Sequence, residues 1–367
     1  MRLHLVGLPY SKTTTDFVTC AFTNKVVSFA RMMMAAGHEV YLYAADENDA
    51  PCTELIPILT DEERVEWFGE WNLAALPGAF SFDANYVGWR TFNARVVGAI
   101  AERAEPRDII CLSMGTAQRS VATANPSLLT VEYGVGYPGV FAQARAFESY
   151  AWAHHLAAKE WAQPTDDARW FDAVIPGGFD PDHFHTDTKD DYLLFVGRLI
   201  SRKGPHIAGE IAKRMGRRLL LAGPGCKAQG PGWVEAEDGT RIEGDVEHIG
   251  PLNIKERADV MSRATTLIVP TIYLEPFGCV AVEAMMCGTP AVASDWGAFT
   301  ETVQTGVSGY RFRTLTQGVQ AVERAEKLHP AKIRAYAMAN YSLETVGDLY
   351  DQWLNTVYTL YGPGWYA

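Results

Sequence analysis

Several features are scarce or missing in this chain, and each absence narrows the field. No apolar run approaches the ~18–20 residues that a membrane-spanning helix needs. The six cysteines, Cys20, Cys52, Cys111, Cys226, Cys279 and Cys287, form no C-x-x-C pair and no framework spacing. Most sit among apolar residues, where a free cysteine acts as a small hydrophobe and suits a reducing compartment. Basic residues are sparse: Lys+Arg number 32 against 44 Asp+Glu, for a net charge of −12. The densest basic runs, R-L-I-S-R-K and K-R-M-G-R-R, are short. Such a surface repels nucleic acid and anionic membranes. No fixed-period repeat and no low-complexity tract is visible. The opening M-R-L-H-L-V-G-L-P-Y has too short an apolar part for a signal peptide and reads as a first strand. A cytoplasmic protein is expected, with no membrane span.

What is present is a chain of 367 residues, 48% hydrophobic and 21% charged, which favours two ordinary domains over one. Short apolar runs alternate with amphipathic segments. L-H-L-V-G-L, E-V-Y-L-Y-A, D-I-I-C-L-S and L-L-T-V-E-Y read as strands. F-T-N-K-V-V-S-F-A-R-M-M-M-A-A-G has helical spacing and stops at Gly37. The alternation implies a parallel sheet with helices on both faces. I-P-G-G-F-D-P-D-H-F, residues 175–184, reads as a hinge. The pattern then restarts with Y-L-L-F-V-G-R, a helix near His206 to Met215, R-L-L-L-A-G, H-I-G, T-T-L-I-V-P and T-P-A-V-A-S. Two doubly wound α/β domains facing a cleft are expected, residues 1–176 and 177–345, followed by a terminal amphipathic, aromatic-rich segment, 346–367, that either closes the second domain or crosses back to the first.

The most informative stretch is Y-L-E-P-F-G-C-V-A-V-E-A-M-M-C-G-T-P, which carries Glu275 and Glu283 on either side of a strand-to-helix junction. In open parallel sheets, ligands bind beyond the carboxyl ends of the strands. A helix opening at Gly278 offers free N–H groups and partial positive charge to a phosphate. Glu283, one turn in, leans back toward the helix start and can accept from a ribose diol. Glu275, before the helix, faces whatever lies beyond the phosphates. V-G-R-L-I-S-R-K-G adds Arg198 and Lys203 at another strand end. Two fixed cations can stabilise a leaving diphosphate without a metal, each contributing roughly 2–4 kcal/mol. A sugar nucleotide meets all these demands. Scattered solvated charges are the plain alternative for each residue alone.

The motifs V-G-R-L-I-S-R-K-G, L-L-L-A-G-P-G, H-I-G-P-L, E-P-F-G-C-V-A-V-E-A-M-M-C-G-T-P and S-G-Y-R-F follow the order seen in retaining glycosyltransferases of family 4, which the chain resembles over most of 175–312. That resemblance implies the GT-B fold, two Rossmann-like domains with the terminal helix, 346–367, packing back on the first. It implies that Glu275, first of the E-x7-E pair, contacts the donor sugar, that Glu283 holds the ribose, and that Arg198 and Lys203 bind the diphosphate. It implies that Cys279 and Val280, after the Phe-Gly pair, bring backbone amides to the nucleotide, and that Ile249, Gly250 and Leu252 lie by the base; Phe277 and Gly278 are donor-binding candidates beside them. Gly7, after the first strand, is a further donor-side candidate. UDP or GDP is the expected nucleotide, with no cofactor and no metal, and the acceptor is expected to be a saccharide or glycan. The family implies front-face attack, the departing phosphate taking the acceptor's proton.

The first domain departs from the family pattern. Where a histidine often follows the strand L-L-T-V-E-Y, this chain has Glu132, Tyr133 and Gly134. Tyr10, Tyr133 and Trp89 are taken as acceptor-side candidates. The aromatic clusters W-F-G-E-W, N-Y-V-G-W and F-E-S-Y-A-W suit either sugar stacking or a packed helix face. G-V-G-Y-P-G matches a dinucleotide fingerprint in letters, but Pro138 interrupts it and Glu160 falls in a helical stretch, so NAD binding is disfavoured. The pairs His154–His155 and His183/His185 lack complementary ligand spacing for a metal. Rival readings are a sugar-nucleotide-binding protein without turnover, a GT-B epimerase, and a glycosyltransferase acting on nucleic-acid bases. A phosphorylase would need a pyridoxal lysine, for which nothing speaks.

Overall fold

The computed structural model describes residues 1–14, 17, 20–70, 83–160 and 171–360. Its described residues fall into two compact units. One runs to Gly178 and takes back the segment from Leu343 onward; the other is Phe179–Ser342. The expected divisions were 176/177 and 345/346.

In the first unit the elements are β1 (Arg2–Val6), α1 (Ala21–Ala35), β2 (Glu39–Ala45), β3 (Glu54–Leu59), α2 (Asp61–Phe68), α3 (Val87–Ala101), β4 (Ile109–Leu112), α4 (Arg119–Ala124), β5 (Leu129–Val135), β6 (Ala144–Phe147), α5 (Tyr150–Glu160) and β7 (Ala173–Val174). The sheet order is β3-β2-β1-β4-β5-β6-β7, all parallel. Strands such as β4 and β5 are buried along their whole length, as parallel strands covered on both faces must be. β3 was not anticipated because Pro57 breaks a strand reading. It lies at the sheet edge, where proline is tolerated.

The second unit runs β8 (Leu193–Val196), α6 (Pro205–Met215), β9 (Leu219–Ala222), β10 (Cys226–Gly230), β11 (Trp233–Ala236), β12 (Arg241–Glu243), β13 (Val246–Gly250), α7 (Ile254–Arg263), β14 (Thr266–Val269), α8 (Cys279–Met286), β15 (Ala291–Ser294), α9 (Phe299–Thr302), β16 (Gly309–Phe312), α10 (Leu315–Ala325) and α11 (Pro330–Tyr341). Its parallel sheet has the order β13-β9-β8-β14-β15-β16, and β10–β12 form a separate antiparallel sheet. Two apolar layers cover the parallel sheet. One carries Met261, Val282, Met285 and Ile333; the other carries Ile211, Val234, Ile242 and Val322. The antiparallel sheet was missed because its strands are short and polar. The Asp238-Gly239 pair before R-I-E is the hairpin signal that marks it.

The terminal helix α12 (Leu343–Leu360) belongs to the first unit. It packs on α1: the ring of Tyr350 meets Phe29 edge-on at 5.2 Å, and its hydroxyl accepts from the Gly134 N–H at 3.1 Å. Among the described residues no helix is long and apolar enough to cross a membrane.

The acceptor-side candidates need correcting. Tyr10, Tyr133 and Trp89 are 1%, 1% and 0% exposed, so their rings offer no face to a substrate. Tyr10 meets both Phe68 and Trp89 edge-on at 6.2 Å, and Tyr133 stacks on Phe29 at 4.0 Å. The aromatic cluster between Trp67 and Trp89 is therefore packing where it is described, and Trp71 lies outside the described residues. In F-E-S-Y-A-W, Phe147 is core and Tyr150 is solvent-exposed. Glu132 is fully buried and accepts from the N–H groups of Phe141 and Ala142 at 2.7 and 2.8 Å. It pins the loop after β5, and burial raises its carboxyl above the usual range. G-V-G-Y-P-G runs through that loop and opens no helix.

Candidate functional site

Both parallel sheets reverse their strand order once. In the second unit the reversal falls between β8 and β14, since β8 is followed outward on one side by β9 and on the other by β14. Adjacent strands whose connections leave in opposite directions open a crevice at their carboxyl ends. The segment after β8 carries Arg198 and Lys203, and the segment after β14 carries Glu275.

The structure joins these two segments. Lys203 Nζ donates to Glu275 Oε2 at 2.8 Å, and the Tyr273 hydroxyl donates to the same oxygen at 2.7 Å. The Glu275 side chain is 13% exposed and that of Lys203 28%. Lys203 also lies 4.8 Å above the Tyr273 ring. Burial, and then the neighbouring Glu275 carboxylate, raise the Tyr273 phenol above its ordinary range, so it stays a donor. Lys203 has three N–H donors and spends one here, which leaves two for a ligand.

Arg198 sits on the same turn, but the structure does not bring it to Glu275. Its Nε donates to Glu237 Oε1 at 2.7 Å. Among the described residues its two terminal nitrogens have no hydrogen-bond partner in the protein. The turn Ser201–Lys203 is itself tied down, the Ser201 N–H donating to Asp238 Oδ2 at 2.6 Å.

Helix α8 opens at Gly278, which has φ +85° and ψ +52°. A side chain there would be strained in the left-handed region, and its Cβ would lie 2.4 Å from Phe299 Cε1. Gly278, as the residue that opens the helix, brings no side chain to cap it. Cys279 and Val280, half-buried, occupy the first two helical positions. Phe277 contributes backbone only, because its ring is 2% exposed and stacks on Phe179 at 6.2 Å.

Glu283 is 7% exposed and is held by a residue that the sequence reading missed. Arg257 lays its guanidinium along the carboxylate, with Nη2 donating to Oε1 at 2.9 Å and Nε 2.7 Å from Oε2. The signal was in the sequence. N-I-K-E is a capping box, Asn253 accepting from Glu256 N–H and Glu256 from Asn253 N–H, and it places Arg257 in the first turn of α7.

Ile249, Gly250 and Leu252 are half-buried at the end of β13. The ends of β13, β9 and β8 interlock there. The Gly223 N–H donates to Gly250 O at 2.9 Å, and a Cβ on Gly223 would lie 2.2 Å from Gly197 O. Only glycine lets these strand ends approach so closely. Gly7, in the first unit, is explained by packing, since its N–H donates to Tyr43 O at 2.8 Å and a Cβ would lie 2.9 Å from that oxygen. Among the described residues no group of three or more His, Cys, Asp or Glu side chains is arranged to hold a metal.

Residues 179–338 match the family model of glycosyl transferases group 1. The matched residues thus lie within the second unit and include every paired charge described above. Curated relatives of the chain include proteins named D-inositol 3-phosphate glycosyltransferase. The one from Nocardiopsis dassonvillei is 33% identical over 181 residues, 43% of this chain and 41% of the relative. The one from Mycolicibacterium smegmatis is 36% identical over 144 residues, 38% of this chain and 33% of the relative. The chain therefore spans less than half the length of these relatives. Solved structures match along nearly all of it. AviGT4, a glycosyltransferase involved in avilamycin A biosynthesis, has a TM-score of 0.65 at 18% identity and 98% coverage of both chains. HepE from Anabaena, solved with UDP-glucose, has a TM-score of 0.63 at 15% identity, covering 97% of this chain and 100% of that one. At such identities the likeness shows the fold, which is GT-B.

Proposed function

We propose that the protein is a retaining glycosyltransferase that moves a hexose-type sugar from a nucleotide-diphosphate donor to an acceptor hydroxyl, without a metal. The observation that carries this reading is the Lys203–Glu275 contact at the switch point of the second unit, with Arg198 on the same turn and the start of α8 following Glu275 in the chain. The matched domain supports the activity class. The UDP-glucose bound to HepE supports a sugar nucleotide as donor.

In this reading the diphosphate lies between Arg198 and Lys203 on one side and the N–H groups at the start of α8 on the other. Fixed positive charge and helix-end amides stabilise the negative charge that develops as the glycosidic C–O bond breaks. Glu283, fixed by Arg257, accepts from the ribose hydroxyls, and Ile249, Gly250 and Leu252 border the base. Glu275 orients the sugar and offsets positive charge at the anomeric carbon. The acceptor oxygen bonds to that carbon on the face from which the phosphate leaves, and its proton passes to the departing phosphate oxygen. We take the acceptor to be a saccharide or glycan.

A thermal-shift panel of UDP, GDP, ADP and their sugars tests the donor, since a ligand that binds only the folded state raises Tm. Slow release of free sugar from the stabilising donor, with EDTA present, then reads the chemistry. Glu275→Ala and Arg198→Ala are each expected to abolish that release. Binding without release would favour a sugar-nucleotide-binding protein. If no nucleotide binds, the proposal fails.

A further inference from the structure

We propose that Glu237 and Asp238, at the tip of the β11–β12 hairpin, are positioning residues that hold the Arg198–Lys203 turn in its phosphate-gripping form. The inference deepens the reading above and rests on it.

A doubly wound sheet has no need of β10–β12. The insertion leaves the parallel sheet after β9 and returns to it at β13, and it is anchored from below. Val234, Ala236 and Ile242 are 0%, 0% and 1% exposed in the layer that also holds Ile211 and Leu221. A tip built on such a base is fixed in place.

That tip meets the cation turn at several points. The Glu237 N–H donates to Gly225 O at 2.7 Å, while the Leu199 N–H donates to Pro224 O at 2.9 Å. The hairpin tip, the β9 exit and the turn after β8 are therefore laced together through backbone. Asp238 uses both oxygens: Oδ2 accepts from the Ser201 N–H at 2.6 Å, and Oδ1 accepts from the Thr240 N–H at 3.1 Å. One carboxylate thus closes its own hairpin and fixes the start of the Ser201–Lys203 turn.

Glu237 acts on the guanidinium. It takes Nε of Arg198, the nitrogen nearest the chain, at 2.7 Å. The two terminal nitrogens are left as a planar fork, the shape that recognises phosphate oxygens in pairs. Without this contact a long arginine side chain, 32% exposed here, samples many rotamers. The carboxylate therefore aims the fork and does not compete for it. Its other oxygen, Oε2, is buried with no hydrogen-bond partner among the described residues, consistent with a carboxylate placed for this one contact.

The test is a titration of the wild type and variants with UDP and GDP, using whichever the wild type binds. Glu237→Ala is expected to raise Kd about tenfold, the scale of one charge-assisted hydrogen bond. Glu237→Gln, whose amide oxygen still accepts from Nε, is expected to stay within about threefold of wild type. Asp238→Ala is expected to weaken binding similarly. The effect of Glu237→Ala should vanish in an Arg198→Ala background, because the two residues act as one unit. A purely structural role would instead persist there and lower Tm in both backgrounds. Unchanged or tighter binding by Glu237→Ala overturns the inference and makes the carboxylate a competitor. So does an equal loss with and without Arg198. A wild type that binds neither diphosphate overturns the parent reading, and this one with it.

Discussion

Removing Arg257 is the most demanding test of how the second unit is built. Its guanidinium and the Glu283 carboxylate are 14% and 9% exposed and meet through two nitrogens and two oxygens. Arg257→Met keeps most of the side chain's volume and removes the charge. It leaves Glu283 beneath the start of α8 as a nearly buried carboxylate without its counter-charge. Breaking a buried pair from one side destabilises by ~3–5 kcal/mol. The lower end applies, since some water reaches Arg257, which gives about 3 kcal/mol. For a unit of this size each kcal/mol moves Tm by ~2–4 °C, so a fall of roughly 6–12 °C is expected by calorimetry. The double variant Arg257→Met with Glu283→Met removes both charges together. Replacing both members of a buried pair by apolar groups is close to neutral, so its Tm should recover to within a few degrees of wild type. A single variant within about 2 °C of wild type, or a double variant worse than the single, would refute the view that Arg257 neutralises a desolvated Glu283. On the proposed reading, in which Glu283 accepts from the ribose hydroxyls, the double variant should still lose nucleotide affinity while keeping its fold.

Other expectations follow from single contacts. Gly278→Ala would impose a left-handed alanine, unfavourable by ~1–2 kcal/mol, and drive a methyl toward the buried ring of Phe299. Nucleotide binding and Tm should fall together, and an unchanged Tm would show that the helix start tolerates a side chain. Lys189 donates to Ser262 O at 2.7 Å and Thr289 Oγ1 at 2.5 Å, and burial lowers its ammonium from 10.5 to about 8. The folded protein then holds this proton less tightly than the unfolded chain, so the group's contribution to stability rises as pH climbs from about 8 toward 10.5. The Tm difference between wild type and Lys189→Met should therefore move in favour of wild type between pH 7 and pH 10 in matched buffers. Parallel profiles would rule this out.

Much of the second unit could be read without coordinates. Its strands are short apolar runs, and chemistry clusters where such runs end, so Arg198, Lys203, Glu275 and Glu283 stand out as charges at strand or helix boundaries. Helix α6 was read from about His206 to Met215 and runs Pro205–Met215. The supporting residues were less visible. Glu237, Asp238 and Arg257 lie far along the chain from the groups they hold, on elements whose own signals, a D-G turn and a capping box, say where a segment turns or starts but not what it reaches. In the first unit the limit was of another kind. Tyr10, Trp89 and Tyr133 are large aromatics near strand ends or helix starts, and that pattern is the same for a sugar platform and for a core.

The sequence by itself determined the alternation of strands and helices, the two parallel sheets and the identity of the charged residues at the sheet margin. Those features are local, set by hydrophobic period and by glycine and proline punctuation. Only the tertiary structure decided the pairings: Lys203 with Glu275, Arg198 with Glu237, and Arg257 with Glu283. It also decided which aromatics went inside. Pairing and burial depend on which distant segments the sheet order brings side by side, and chain order alone leaves that open.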